Sequence, residues 1–157
     1  MPSVLRSGLS RAVAGDRGNV MIEFALALPV IFLLMVGLLD LGRFSMQKSA
    51  MLQGAREGAQ YGILVPTDST NINSTAQNAT NLTSVTATNT VFCECVAGTT
   101  VGCGTTCTGG ATLKKYITVT TTRSFTSVLS VATLSFGSFG SWTPPTSITS
   151  SVTLIVP

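Results

Sequence analysis

From Phe24 to Leu39 the chain runs sixteen residues without a charge, and counting back to Val20 gives twenty with Glu23 as the single exception. A hydrocarbon core about 30 Å thick needs about 20 mostly apolar helical residues to cross it. The run is therefore long enough to span a bilayer, and longer than the apolar core of a usual cleaved signal peptide. What singles it out is the acid at its head. An ionised carboxylate at the centre of a membrane helix costs about 2.5–3.5 kcal/mol on insertion scales and less near the interface, which makes Glu23 a candidate functional residue. The plainer alternative is a side chain solvated at headgroup level.

The flanks of the run set an expected orientation. Arg6, Arg11 and Arg17 precede it with only Asp16 against them, and basic flanks favour the cytoplasmic side. Arg43, Lys48 and Arg56 follow it, but Asp40 and Glu57 lie among them. The pattern predicts a single pass with the C-terminal part across the membrane. At 157 residues there is room for one anchor and one small domain. The net charge of +3 comes largely from the first eighteen residues; beyond Gly18, six basic side chains face five acidic ones. Nucleic-acid binding needs a basic face that neutralises several phosphates. Residues 63–157 hold only Asp68, Glu94, Lys114, Lys115 and Arg123 as charges, so no nucleic-acid partner is expected.

Three segments follow from this patterning: a basic leader over residues 1–18, a membrane-spanning and extended helix over 19–62, and an extracytoplasmic α+β domain over 63–157. Beyond the membrane, Leu41, Phe44, Met51, Leu52, Ala55 and Ala59 recur at helical spacings, and Pro66 marks the stop. Forty-four residues at about 1.5 Å each make roughly 66 Å of helix, more than twice what the bilayer takes. The remainder must pack on something. Pro29 removes one backbone hydrogen bond inside the helix and is an expected kink, a defect that membrane helices tolerate. Gly37, Gly42, Gly54, Gly58 and Gly62 thin the flanks of this helix and suit close contacts.

Thr67-Asp68-Ser69 is a capping signal for a short second helix in which Ile72, Ala76, Ala79 and Leu82 repeat. Three β segments are expected at Val85 to Cys95, Leu113 to Phe125 and Ser147 to Val156, the last two with period-2 alternation. The resulting small antiparallel sheet needs a cover on its apolar face, and the extramembrane half of the long helix is the candidate. Thr126 to Pro145 is expected as a long loop with a helical turn near Val128 to Leu134. Its Phe136, Phe139 and Trp142 are read as core, with an exposed contact patch as the alternative.

Cys93, Cys95, Cys103 and Cys107 fall within fifteen residues of each other. In an oxidising compartment they are disulfide candidates, with Cys93 and Cys95 each bridging to Cys103 or Cys107, because a Cys93–Cys95 bridge suits strand geometry poorly. The alternative is a zinc site in a single-pass periplasmic binding module, although Cys93-Glu94-Cys95 has one intervening residue where zinc ligand pairs usually have two to four. The chain has no histidine, and it lacks a glycine-rich phosphate loop and paired carboxylates. No catalytic residue, cofactor or metal is therefore assigned, and a structural protein is expected rather than an enzyme.

Gly18 followed by Asn19-Val20-Met21-Ile22-Glu23, behind a short basic leader, resembles the cleavage site of type IV prepilins. Together with Phe24-Ala25-Leu26-Ala27-Leu28-Pro29, Gly37-Leu38-Leu39-Asp40-Leu41-Gly42-Arg43 and Ala55-Arg56-Glu57-Gly58-Ala59-Gln60-Tyr61-Gly62, it is similar to the TadE-like pseudopilins, or minor pilins, of the tight-adherence (Flp) pilus system. The resemblance implies a structural role in that pilus or its inner-membrane assembly complex. It implies a prepilin peptidase as partner, cutting after Gly18 so that Asn19 becomes the mature N-terminus. Other pilins or pseudopilins would associate through the helix. The protein would sit in the bacterial inner membrane with its C-terminal domain periplasmic, or on the cell surface after assembly. In a helix bundle Glu23 would pair with the new amino group of a neighbour.

Overall fold

The computed structural model describes residues 16–128, 133–135 and 137–157. The expected leader lies outside the described residues as far as position 15. Two compact units divide the chain, one ending at Gly37 and the other running from Leu38 to Pro157. A single helix, α1 (Asp16–Leu64), begins in the first and ends in the second. It starts three residues ahead of the expected Asn19. In the first unit the side chains from Val20 to Met35 are all exposed.

The second unit is the α+β domain expected from the sequence. Helix α2 (Ser69–Ala79) starts at Asp68, whose carboxylate accepts the backbone N–H of Asn71 at 3.1 Å and its side-chain amide at 2.6 Å. These bonds favour the ionised cap and hold its pKa below the usual carboxylate value, with a smaller contribution from Tyr61. A depressed folded-state pKa means that the cap stabilises α2 above the unfolded value and loses that effect as pH falls through the folded one. After Thr80, Asn81 takes a left-handed conformation (φ 52°) that stops the helix, a role Asn fills when Gly is absent.

The sheet is built from β1 (Thr86–Val96), β2 (Thr99–Val101), β3 (Lys114–Ser124) and β6 (Ser147–Val156), in the order β2-β1-β3-β6 and antiparallel throughout. β1, β3 and β6 match the expected strands to within one residue. β2, which closes a tight hairpin through Gly98 (φ 83°), was hidden by its length of three residues. The expected loop from Thr126 to Pro145 contains a minor hairpin of β4 (Leu134–Ser135) and β5 (Ser141–Trp142) around a short 3-10 turn. The expected helical turn near Val128 falls mostly outside the described residues. Trp142 is 46 % exposed, so it is not core: among the described residues its two-residue strand pairs only with β4, outside the main sheet.

From Asp40 onward α1 turns one helical stripe inward: Asp40, Met51, Gly54, Ala55, Gly58, Ala59 and Gly62 are buried, and Phe44 and Gln47 are half-buried. This stripe covers the inner face of the sheet. Ala59 packs with Ile72 and Ala76 of α2, Ala87 of β1, Ile117 and Val119 of β3 and Val156 of β6. A second cluster joins Met51, Phe125 and Ile148, with Phe44 meeting Phe125 edge-on at 5.4 Å. The outer face carries hydroxyls in register: Thr86, Thr122 and Thr149 in one row, Thr90, Thr118 and Thr153 in another. The hydroxyls of Thr118 and Thr153 are 2.7 Å apart.

One polar bond pins helix to sheet inside the core. Thr121, fully buried, donates its hydroxyl to the Met51 carbonyl at 3.0 Å. Thr121→Val keeps the shape and deletes the donor. It is expected to lower stability by about 1 kcal/mol, the net worth of an intramolecular hydrogen bond, read as a lower denaturant midpoint at unchanged slope.

Candidate functional site

The residues singled out at the head of the apolar run lie on one helix. Gly18 and Asn19 fall within the first turn of α1, and Glu23 follows one turn later. Glu23 shares a face with Val20, Phe24 and Ala27 around a shallow apolar depression. It is exposed, and among the described residues it has no hydrogen-bond or ion-pair partner. The acid is flanked by apolar side chains, and among the described residues nothing offsets the cost of desolvating it. Pro29 sits inside α1, which continues on both sides of it. Its missing N–H leaves the Ala25 carbonyl without its usual intrahelical partner. By length and composition this helix can cross a membrane, a single-pass anchor near the N-terminus.

Sequence reasoning missed Asp40. The carboxylate is 8 % exposed and accepts both the hydroxyl of Ser127 and, at 2.9 Å, the backbone N–H of Val128. Arg43, one turn on, lies 3.6 Å away. The loop after β3 is thereby tied to α1 next to the end of the charge-free run. The signal was present: Asp40 stands four residues before Phe44 and seven before Gln47, on the stripe that Met51 and Ala55 continue inward.

The four cysteines form two bridges, Cys93–Cys103 and Cys95–Cys107. Their order along the chain is interleaved, and together they fasten the 96–113 connection to the end of β1. Cys93 points into the core at 1 % exposure, while Cys95 is half-buried. All four sulfurs are consumed, so none is left as a thiolate for a metal. Among the described residues no cluster of His, Cys, Asp or Glu has metal-binding geometry.

The comparisons agree with the geometry of α1. Residues 18–60 match the family model of TadE-like proteins, a match that begins at Gly18 and ends within the buried stripe of the helix. Comparison with curated proteins and with solved structures gives no match. The match covers 43 of the 157 residues and supports a TadE-like segment at this place in the chain.

Proposed function

We propose, taking the TadE-like segment as premise, that this chain is a pilin-like structural subunit of a tight-adherence pilus or of its inner-membrane assembly complex. It works by assembly and not by catalysis. A prepilin peptidase cuts after Gly18 on the cytoplasmic side, and Asn19 becomes the new N-terminus. The observation that carries this reading is Glu23: an exposed acid with no partner among the described residues, five residues beyond the proposed cut and inside the matched segment. The free amino group of Asn19 on a neighbouring helix supplies the charge that Glu23 lacks, so cleavage and lateral association are coupled through one ion pair. The two disulfides support a periplasmic location for the sheet domain, because such bridges persist in oxidising compartments. The partners are accordingly the peptidase and other pilins or pseudopilins that share the anchor-helix design.

Processing is the direct test. In cells that carry the peptidase, wild-type protein is expected to begin at Asn19 by N-terminal sequencing, and Gly18→Ala is expected to retain the leader and migrate more slowly. Equal trimming of the two proteins would remove the cleavage claim. Glu23→Gln, cleaved normally but recovered without its co-purifying pilin partners, would separate the assembly role from the processing step.

A further inference from the structure

Where the matched helix segment meets the sheet domain beyond it, one pocket combines charge with unspent hydrogen-bond donors. It lies in the second unit between α1 and the end of β3, with a volume of about 200 Å³. Arg43 and Arg123 line it, together with Gln47, Ser84 and Thr126, and Phe125 forms part of its wall. The Arg43 guanidinium is held 5.9 Å from the centre of the Phe125 ring, whose edge contact with Phe44 fixes it in turn. Among the described residues, the side chains of Gln47, Ser84, Arg123 and Thr126 have no hydrogen-bond partner. Ser84 lines the pocket from a left-handed backbone (φ 58°), a conformation that non-glycine residues seldom adopt.

Charge and position restrict the occupant. The nearest acid, Asp40, is buried, engaged by Ser127 and Val128 and paired with Arg43 at 3.6 Å, so Arg43, Arg123 and Asp40 together leave one net positive charge at the pocket. Glu94 and its cross-strand neighbour Lys114 lie at the opposite end of the sheet, because β3 runs antiparallel to α1: Thr121 meets Met51 while Ile117 meets Gly62. Arg43 stands four residues, about one helical turn, beyond Leu39, where the charge-free run ends. If α1 is the anchor, that turn is at headgroup height. Two guanidiniums with convergent amide and hydroxyl donors suit a phosphodiester, and the volume is below the 300–1,000 Å³ usual for larger organic ligands.

We propose that the Arg43–Arg123 pocket binds the phosphodiester headgroup of an anionic phospholipid. The proposal rests on the reading of α1 as a membrane anchor. A zwitterionic headgroup is disfavoured, because its cation meets the second arginine.

The test uses the full chain in nanodiscs of phosphatidylcholine with phosphatidylglycerol as the minor lipid, and measures the phosphatidylglycerol retained on the protein by native mass spectrometry. Each basic residue near a membrane surface contributes about a fivefold preference for anionic lipid, so Arg43→Gln with Arg123→Gln is expected to reduce selective retention roughly 25-fold. Arg43→Lys with Arg123→Lys keeps the charge and retains most of it. Gln47→Glu introduces a repelling carboxylate without touching either arginine or Phe125, and is expected to reduce retention comparably, which guards against misfolding of the double variant. Wild-type retention in Gln47→Glu and in the double glutamine variant overturns the proposal. So does full competition by soluble glycerol phosphate, which would assign the pocket to a free phosphoester. Failure of the wild-type chain to float with pure phosphatidylcholine vesicles overturns it through the anchor, and is distinguishable because lipid selectivity is not involved.

Discussion

Alanine at position 54 is expected to destabilise the sheet domain even though alanine is the best helix former. A methyl group there lands on the Ala76 carbonyl oxygen and on the Thr80 side chain, with the Thr80 amide at 3.4 Å. The obstacle is largely the backbone of α2, which cannot rotate away as a side chain can. Replacing glycine in a helix gains up to about 1 kcal/mol of intrinsic preference. Overpacking a tight interface costs about 1–3 kcal/mol and occasionally more, so the net effect at Gly54 is a loss. In a domain of about 100 residues each kcal/mol moves the melting temperature by roughly 4–8 °C. Gly58→Ala meets the Ala76 methyl at 2.7 Å and the Ile72 carbonyl at 3.1 Å and is expected to behave in the same way. Gly62→Ala meets the end of the Ile117 side chain, which can swing, and should cost less. Gly42→Ala has nothing within 4 Å and should be neutral or stabilising. Thermal melts of the four variants in detergent therefore carry a ranked expectation. Equal melting temperatures for Gly54→Ala and Gly42→Ala would mean that α2 does not seat on this helix.

The disulfides give the second large effect. Cys93–Cys103 and Cys95–Cys107 close loops with sequence separations of 10 and 12. Chain-entropy arguments give about 3 kcal/mol for a 15-residue loop and slightly less for shorter ones. Replacing Cys93 and Cys103 by alanine is expected to cost about 2–3 kcal/mol. It should cost more than the same change at Cys95 and Cys107, because the Cys93 sulfur also fills core space. The two bridges are interleaved and share strand β1, so their losses will not add. Denaturant midpoints with and without a thiol reductant check this: reduction of the wild type should lower the midpoint, and an unmoved midpoint would show that the bridges contribute nothing to stability.

The parts of the fold legible in the sequence are those where one physical pattern dominates. The apolar period of α1, the Asp68 cap of α2 and the alternation of β3 and β6 each follow from a single local rule, and each appears within a few residues of its expected place. The need of the sheet for a cover, met by Met51, Ala55 and Ala59, followed from unsatisfied apolar area. Cysteine geometry reduced three pairings to two, but the choice between these depended on how the 96–113 connection turns back, which no local signal encodes. β2, β4 and β5 are two or three residues long and too short for periodicity to register. Asp40 and the Arg43–Arg123 pocket were illegible for a different reason. Their partners, Ser127, Val128 and Ser84, lie far along the chain in segments of ordinary polar composition, and only the antiparallel passage of β3 along α1 brings them together.

The shared helix has a mechanical consequence. Met51, Ala55 and Ala59 belong to the core of the sheet domain and also to the helix that carries the charge-free run. Tension on its stretch from Leu38 to Leu64 is therefore borne by the sheet domain itself. It acts in shear on the Asp40 tie to the loop, on the Thr121 bond to Met51 and on the close seam at Gly54 and Gly58, all at once. Contacts strained in parallel share the force, and none yields until most of them do. A sheet domain pulled by this helix is in this respect a rivet and not a bead on a string.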